Sequence, residues 1–194
     1  MMFFGGSVNK DLDQFAKMLN RSVEKMFMDR NEIRFSKDPD SEKRLIIEYG
    51  GLMRADGLEK YNESSFISYI NYYLNAKDME KNKAVGAIVV YIEQNYVATL
   101  LKMLKYPLAD DEDLDALADC CGTLCNIIAG AFKTEISKAG YIELEMSHFT
   151  SYRNRAVVGV PFCFNEREKI ESTFFIQNQK RLIIEMTMGV VPKR

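Results

Sequence analysis

The apolar positions of this chain change period several times, and each change marks an element. From Asp11 to about Asp29 they recur at helical spacing, at Leu12, Phe15, Met18, Leu19, Val23, Met26 and Phe27, and predict a first helix that "DRNE" ends. Asn9 or Asp11 would cap it. The stretch "NEIRFSK" reads as a short strand and "DPDSE" as a turn-rich linker. "KRLIIEYGGLM" reads as a strand interrupted at Gly50 and Gly51 by a bulge or a close backbone approach. Between Arg54 and Lys83 the pattern is weakest. There "SFISYINYYLN" has the aromatic and β-branched content of a strand, although the same residues could wind into a helix; we take it as a strand.

"AVGAIVVYI", Ala84 to Ile92, predicts a buried strand, and "QNYVATLLKMLKYP" a helix stopped near Pro107. The acidic "LADDEDLD" leads into a longer helix and places carboxylates where its macrodipole favours them. "YIELEMSHF", "AVVGVPFCF", "KIESTFFIQ" and "RLIIEMTMGVV" read as strands that finish the chain. The expected fold class is α/β (α+β), with helices packed on a largely antiparallel sheet. "KRLIIE" occurs at Lys43 to Glu48 and again at Lys180 to Glu185. Six residues are too short for a repeat, and two strands sharing one binary pattern account for them.

Winding the longer helix at about 100° per residue puts Leu114, Leu117, Cys121, Leu124 and Ile128 on one side, which predicts the core face. Asp119, Thr123 and Asn126 fall on the opposite side, with Gly130 near the same stripe. On pattern alone that stripe is a solvated helix face. Cys121 joins the apolar stripe, Cys125 lies at its margin and Cys120 sits on the other flank, so the thiols do not converge as metal ligands would. Nucleophilic use of a thiol needs a nearby base, and the lone His148 is weak support for one.

Composition narrows the classes. With 194 residues, 47% hydrophobic and 28% charged, the chain is long enough for one domain with its own core. Its 26 Lys and Arg against 28 Asp and Glu, without a dense basic run, argue against nucleic acid as partner. The start "MMFFGGSVNKDLDQ" lacks the pattern of a signal peptide, and no later segment approaches bilayer length, so we expect a cytoplasmic chain without membrane insertion.

What lifts the polar stripe above a solvated face is a resemblance. The run "VGAIVVYIEQNYVATLLKML…DEDLDALADCCGTLCNIIAGAFKTEI" resembles the strand, helix, acidic linker and second helix of the CheC/CheX family, closest to its CheX branch, which dephosphorylates the chemotaxis response regulator CheY. That family carries Asp or Ser, then after three residues Glu, then after two more Asn. Asp119 and Asn126 meet the pattern, while Thr123 stands at the Glu position. The likeness continues through Asn126 to Gly130 and Lys133 to Glu135, and spans about Ala84 to Gly159. Helix one and "STFFI" fit more loosely. Residues 30–83 do not align, which suggests a single domain over 1–194 with an inserted or divergent segment. The proline that the family often places after the second helix would fall near Phe149 and is missing.

The resemblance implies a CheY-like receiver domain as partner and hydrolysis of its aspartyl phosphate. The receiver would supply Mg, a lysine and the phosphorylated aspartate, so no cofactor of the chain's own is expected. Asn126 would be the amide that positions the water, and the missing glutamate would have paired with the receiver's lysine. Thr123 has no charge for that contact, although Asp119 could take it over. Losing a charge-assisted contact costs about 1.5–3 kcal/mol, which implies a weak phosphatase, or a non-catalytic adaptor or flagellar-switch binding protein on the same fold. Some CheX-like proteins pair through their sheets, so a homodimer is a further expectation.

Overall fold

The computed structural model describes residues 11–107, 113–153 and 155–194. The candidate cap Asn9 and most of the acidic linker lie outside the described residues. Helix α1 (Leu12–Asn31) buries Leu12, Phe15, Leu19, Val23, Met26 and Phe27, the stripe its spacing predicts. Asp11 occupies the N-cap position without a side-chain cap bond. "NEIRFSK" is not a strand. It is irregular, and Phe35 packs its ring between Phe27 and Phe174 at 4.8 and 5.0 Å, so the apolar content serves packing rather than a ladder.

The next stretch corrects two expectations. Strand β1 (Asp40–Leu45) starts inside the expected "DPDSE" linker, because it has β9 to pair with. Gly50 and Gly51 form no bulge. With φ of 58° and 78° they make the two-residue turn between β2 (Glu48–Tyr49) and β3 (Leu52–Asp56), a geometry that glycine adopts without a Cβ penalty. A short helix α2 (Gly57–Tyr61) follows, capped by the Asp56 carboxylate on Leu58 N and Glu59 N. "SFISYINYY" is strand β4 (Ser65–Tyr73), as expected. Helix α3 (Ala76–Glu80), β5 (Gly86–Glu93) and α4 (Gln94–Met103) come next, then the long α5 (Leu114–Lys138).

"YIELEMSHF" is mostly irregular, with only β6 (Glu145–Met146) in the sheet. Strand β7 (Thr150–Arg153) lies where none was expected. The chain closes with β8 (Val157–Val160), β9 (Glu168–Ile176) and β10 (Gln179–Met188). The main sheet runs β1-β9-β10-β5-β4-β6, with β7 also on β4, and a small sheet runs β2-β3-β8. Every pairing among the described residues is antiparallel.

Alternation along the strands sorts residues to two faces. On β10, Leu182, Ile184 and Met186 join the core under α1, α4 and α5, whereas Ile183 joins a smaller core beneath β3 and β8. Each fully buried side chain of this size contributes about 1.5–3 kcal/mol. α5 spans 25 residues and by length and composition could cross a membrane, contrary to the expectation from sequence. Its apolar stripe is instead packed in the larger core.

Candidate functional site

α5 is fixed by its N-terminal cap and its buried face. Asp113 caps it, its Oδ1 accepting from Asp115 N at 2.9 Å and Ala116 N at 3.2 Å. Leu117, Cys121, Leu124, Ile128, Phe132 and Ile136 are buried against the sheet. Tyr72 donates its hydroxyl to Ala129 O at 2.9 Å, and the Cys125 thiol lies 3.6 Å from Ser68 O. These contacts set the axial position of the helix as well as its rotation. Cys125 is therefore fully buried rather than marginal.

The rotation turns the polar stripe outward. Asp119 and Asn126 are exposed and Thr123 is half-buried. A Cβ built on Gly130 would meet nothing within 4 Å, so the stripe ends on open backbone. Neither the Asn126 amide nor the Thr123 hydroxyl hydrogen-bonds another described residue. Along the flank, Phe149 closes over the helix so tightly that a Cβ on Gly122 would lie 2.2 Å from its ring. Arg153 on β7 pairs with Asp115 at 3.3 Å. Phe149, which the sequence pattern puts in a strand, and β7, where none was expected, thus form one wall beside the stripe.

All four cysteines are free. Burial pushes the Cys121 and Cys125 thiols far above their ordinary range, and burial followed by the Asp119 charge raises Cys120. His148 is exposed in an irregular segment. Among the described residues, no three His, Cys, Asp or Glu side chains gather as a metal site would.

A second polar concentration, which sequence reasoning missed, lies on the other face of the sheet. Glu171 and Glu185 sit directly opposite each other on β9 and β10, where like charges repel. Lys60 from α2 enters between them, bonding Glu171 and, at 2.6 Å, Glu185. Lys169 and the Tyr91 hydroxyl bond the same Glu185 carboxylate at 2.7 and 2.6 Å. Burial alone would raise the Glu185 carboxyl, but Lys169 and Lys60 outweigh it and hold it below the usual range. The readable signal was a glutamate inside an otherwise apolar strand.

No protein-family model matches the chain, and no curated protein is similar to it in sequence. Solved structures do match. A candidate chemotaxis protein from Desulfovibrio vulgaris Hildenborough superposes with a TM-score of 0.59 at 15% identity, over 94% of this chain and 100% of the other. The chemotaxis protein CheX from Desulfovibrio desulfuricans gives a TM-score of 0.54 at 14% identity, over 91% of this chain and 99% of that one. The fold is CheX-like. CheX in a CheX–CheY complex with BeF3 and Mg from Borrelia burgdorferi gives 0.51 at 13%, over 91% and 98%. The CheX-like fold therefore extends over nearly the whole chain.

Proposed function

We propose that the protein binds a phosphorylated CheY-like receiver domain through the outer face of α5 and promotes hydrolysis of its aspartyl phosphate weakly. The observation that carries this reading is the uncommitted Asp119–Thr123–Asn126 stripe on a CheX-like fold. Asn126 offers an amide that can both accept from and donate to a water in line with phosphorus. In this reading the receiver brings the Mg ion, the lysine and the aspartyl phosphate. The helper then needs only to dock and to orient water, and a rigid, exposed helix face suits that task.

Thr123 favours a second reading. A hydroxyl cannot form the charge-assisted contact that a glutamate would make to a receiver lysine, so the face would dock without catalysis, as an adaptor. Asp119, one turn earlier on the same face, would make that contact in the catalytic reading. A homodimer is compatible with either reading, because among the described residues β1 at one end of the main sheet and β6 and β7 at the other pair with no further strand.

Restoring the acid separates the two. Thr123→Glu should raise receiver dephosphorylation by about ten- to a hundredfold, the equivalent of one charge-assisted contact. The readout is phosphoryl release from a receiver domain of the source organism. No gain, together with unchanged receiver binding, would favour the adaptor; loss of binding altogether would remove the α5 face from the interface.

A further inference from the structure

β6 and β7 both pair with β4, but not in one register. Tyr69 stands opposite Thr150 and Tyr72 opposite Met146, so Ser147, His148 and Phe149 face only Ile70 and Asn71. The extra residue is a β-bulge, a device that re-aims a side chain. Strict alternation would put Met146 and Phe149 on opposite faces of the sheet, yet both pack against the larger core on the helix side. The change of side therefore falls at Ser147 and His148. Ser147 anchors it. Its backbone N–H donates to Asn71 O at 3.0 Å, and its hydroxyl accepts from Asn71 N at 3.0 Å and donates to His148 O at 2.8 Å. The chain's one histidine is thus exposed on a backbone held by a pinned serine on one side and a packed phenylalanine on the other.

Contacts along α5 place the bulge. Arg153 meets Asp115 at 3.3 Å, Phe149 lies against Gly122, and Lys133 meets Glu143 at 3.4 Å, so the segment runs antiparallel to the helix along one flank. From Gly122 to Asn126 the helix rises about 6 Å. Two extended residues before Phe149 cover about the same length, so His148 stands between the levels of Gly122 and Asn126. Around the axis Asn126 lies about 40° from Gly122, Asp119 about 60° and Thr123 about 100°. Asn126 is therefore the stripe residue nearest this wall.

Two cations on the same flank are engaged, Arg153 by Asp115 and Lys133 by Glu143. The His148 side chain makes no hydrogen bond or ion pair with another described residue. The bulge thus brings an unengaged N–H donor beside Asn126.

We propose that His148 is a specificity-determining residue of the receiver site, its imidazole donating to an oxygen of the receiver's phosphoryl group beside the water held by Asn126. The inference rests on the receiver reading. Because the contact exists only when the receiver is phosphorylated, it tells the two forms of the partner apart. The test is equilibrium titration of the full chain with a CheY-like receiver domain from the source organism, unmodified and carrying Mg with beryllofluoride, whose fluorines stand for the phosphoryl oxygens. His148→Ala should weaken the beryllofluoride form by about tenfold or more and leave the unmodified form unchanged. His148→Gln, which keeps an N–H donor, should restore most of the loss. Should the unmodified form bind too weakly to titrate, the comparison of His148→Gln with His148→Ala decides. Unchanged affinity in His148→Ala, equal weakening of both forms, or His148→Gln as weak as His148→Ala would overturn the inference and leave receiver docking standing. A wild-type chain that binds neither form would overturn the receiver reading with it.

Discussion

The two faces of the main sheet carry polar residues in opposite conditions. On the back, Lys60, Lys169, Glu171 and Glu185 are almost completely buried and bound to one another. On the front, beyond the helices, Asp119 and Asn126 are exposed and Asn126 has no partner among the described residues. The difference separates polar groups that the fold consumes from polar groups that it only positions. Removing the first kind costs stability because it leaves a charge buried and unpaired; removing the second kind costs only what the group does to a partner.

The sharpest contrast concerns Glu185. Glu185→Ala should lower unfolding free energy by about 3–5 kcal/mol in urea, whereas Glu42→Ala on β1 should stay within about 0.5 kcal/mol. Equal effects would break the comparison. The same carboxylate sets the response to acid. Its folded-state pKa is depressed, so its contribution is complete above the ordinary value of 4.5 and is lost as pH falls below that through the folded value. Burial alone would lower the Lys60 ammonium, but Glu185 and Glu171 raise it, so its contribution is present below 10.5 and is lost only as pH climbs past the raised value. Urea titrations across pH should therefore show Glu185→Gln with a flatter acid limb than wild type.

A smaller contrast lies on α5 itself. Gly122→Ala drives a methyl into Phe149 and should cost about 1–3 kcal/mol. Gly130→Ala meets open space in a helix interior and should gain about 0.5–1 kcal/mol. Thermal unfolding of the two variants checks the sign, and a cost at Gly130 would mean that the stripe is not open there.

Periodicity made much of this fold legible, and its limits are shown by the two "KRLIIE" segments. The copy at Lys180 to Glu185 lies in β10 between β9 and β5, and Leu182, Ile183, Ile184 and Glu185 are fully buried. The copy at Lys43 to Glu48 begins in the edge strand β1 and leaves it after Leu45, so Leu45 and Ile47 stay exposed. Binary pattern reports that a strand forms, while burial depends on which strands flank it. The helix spacing of α1 and α5 was readable because each is long and one-sided, and the outward stripe followed from the same spacing. The charge network was not readable. Lys60, Lys169, Glu171 and Glu185 come from a short helix and two strands, and only the register of β9 on β10 brings them together. Phe149 beside Gly122 was hidden for the same reason.

The central claim concerns Asn126, and one time course tests it most directly. Phosphorylated receiver domains from the source organism would be followed as they decay alone, with the protein, and with Asn126→Ala, whose unfolding free energy should match wild type within about 0.5 kcal/mol. The account predicts faster decay with the wild-type chain and decay returned to the intrinsic rate with the folded variant. Equal acceleration by both would contradict a water-positioning role for Asn126.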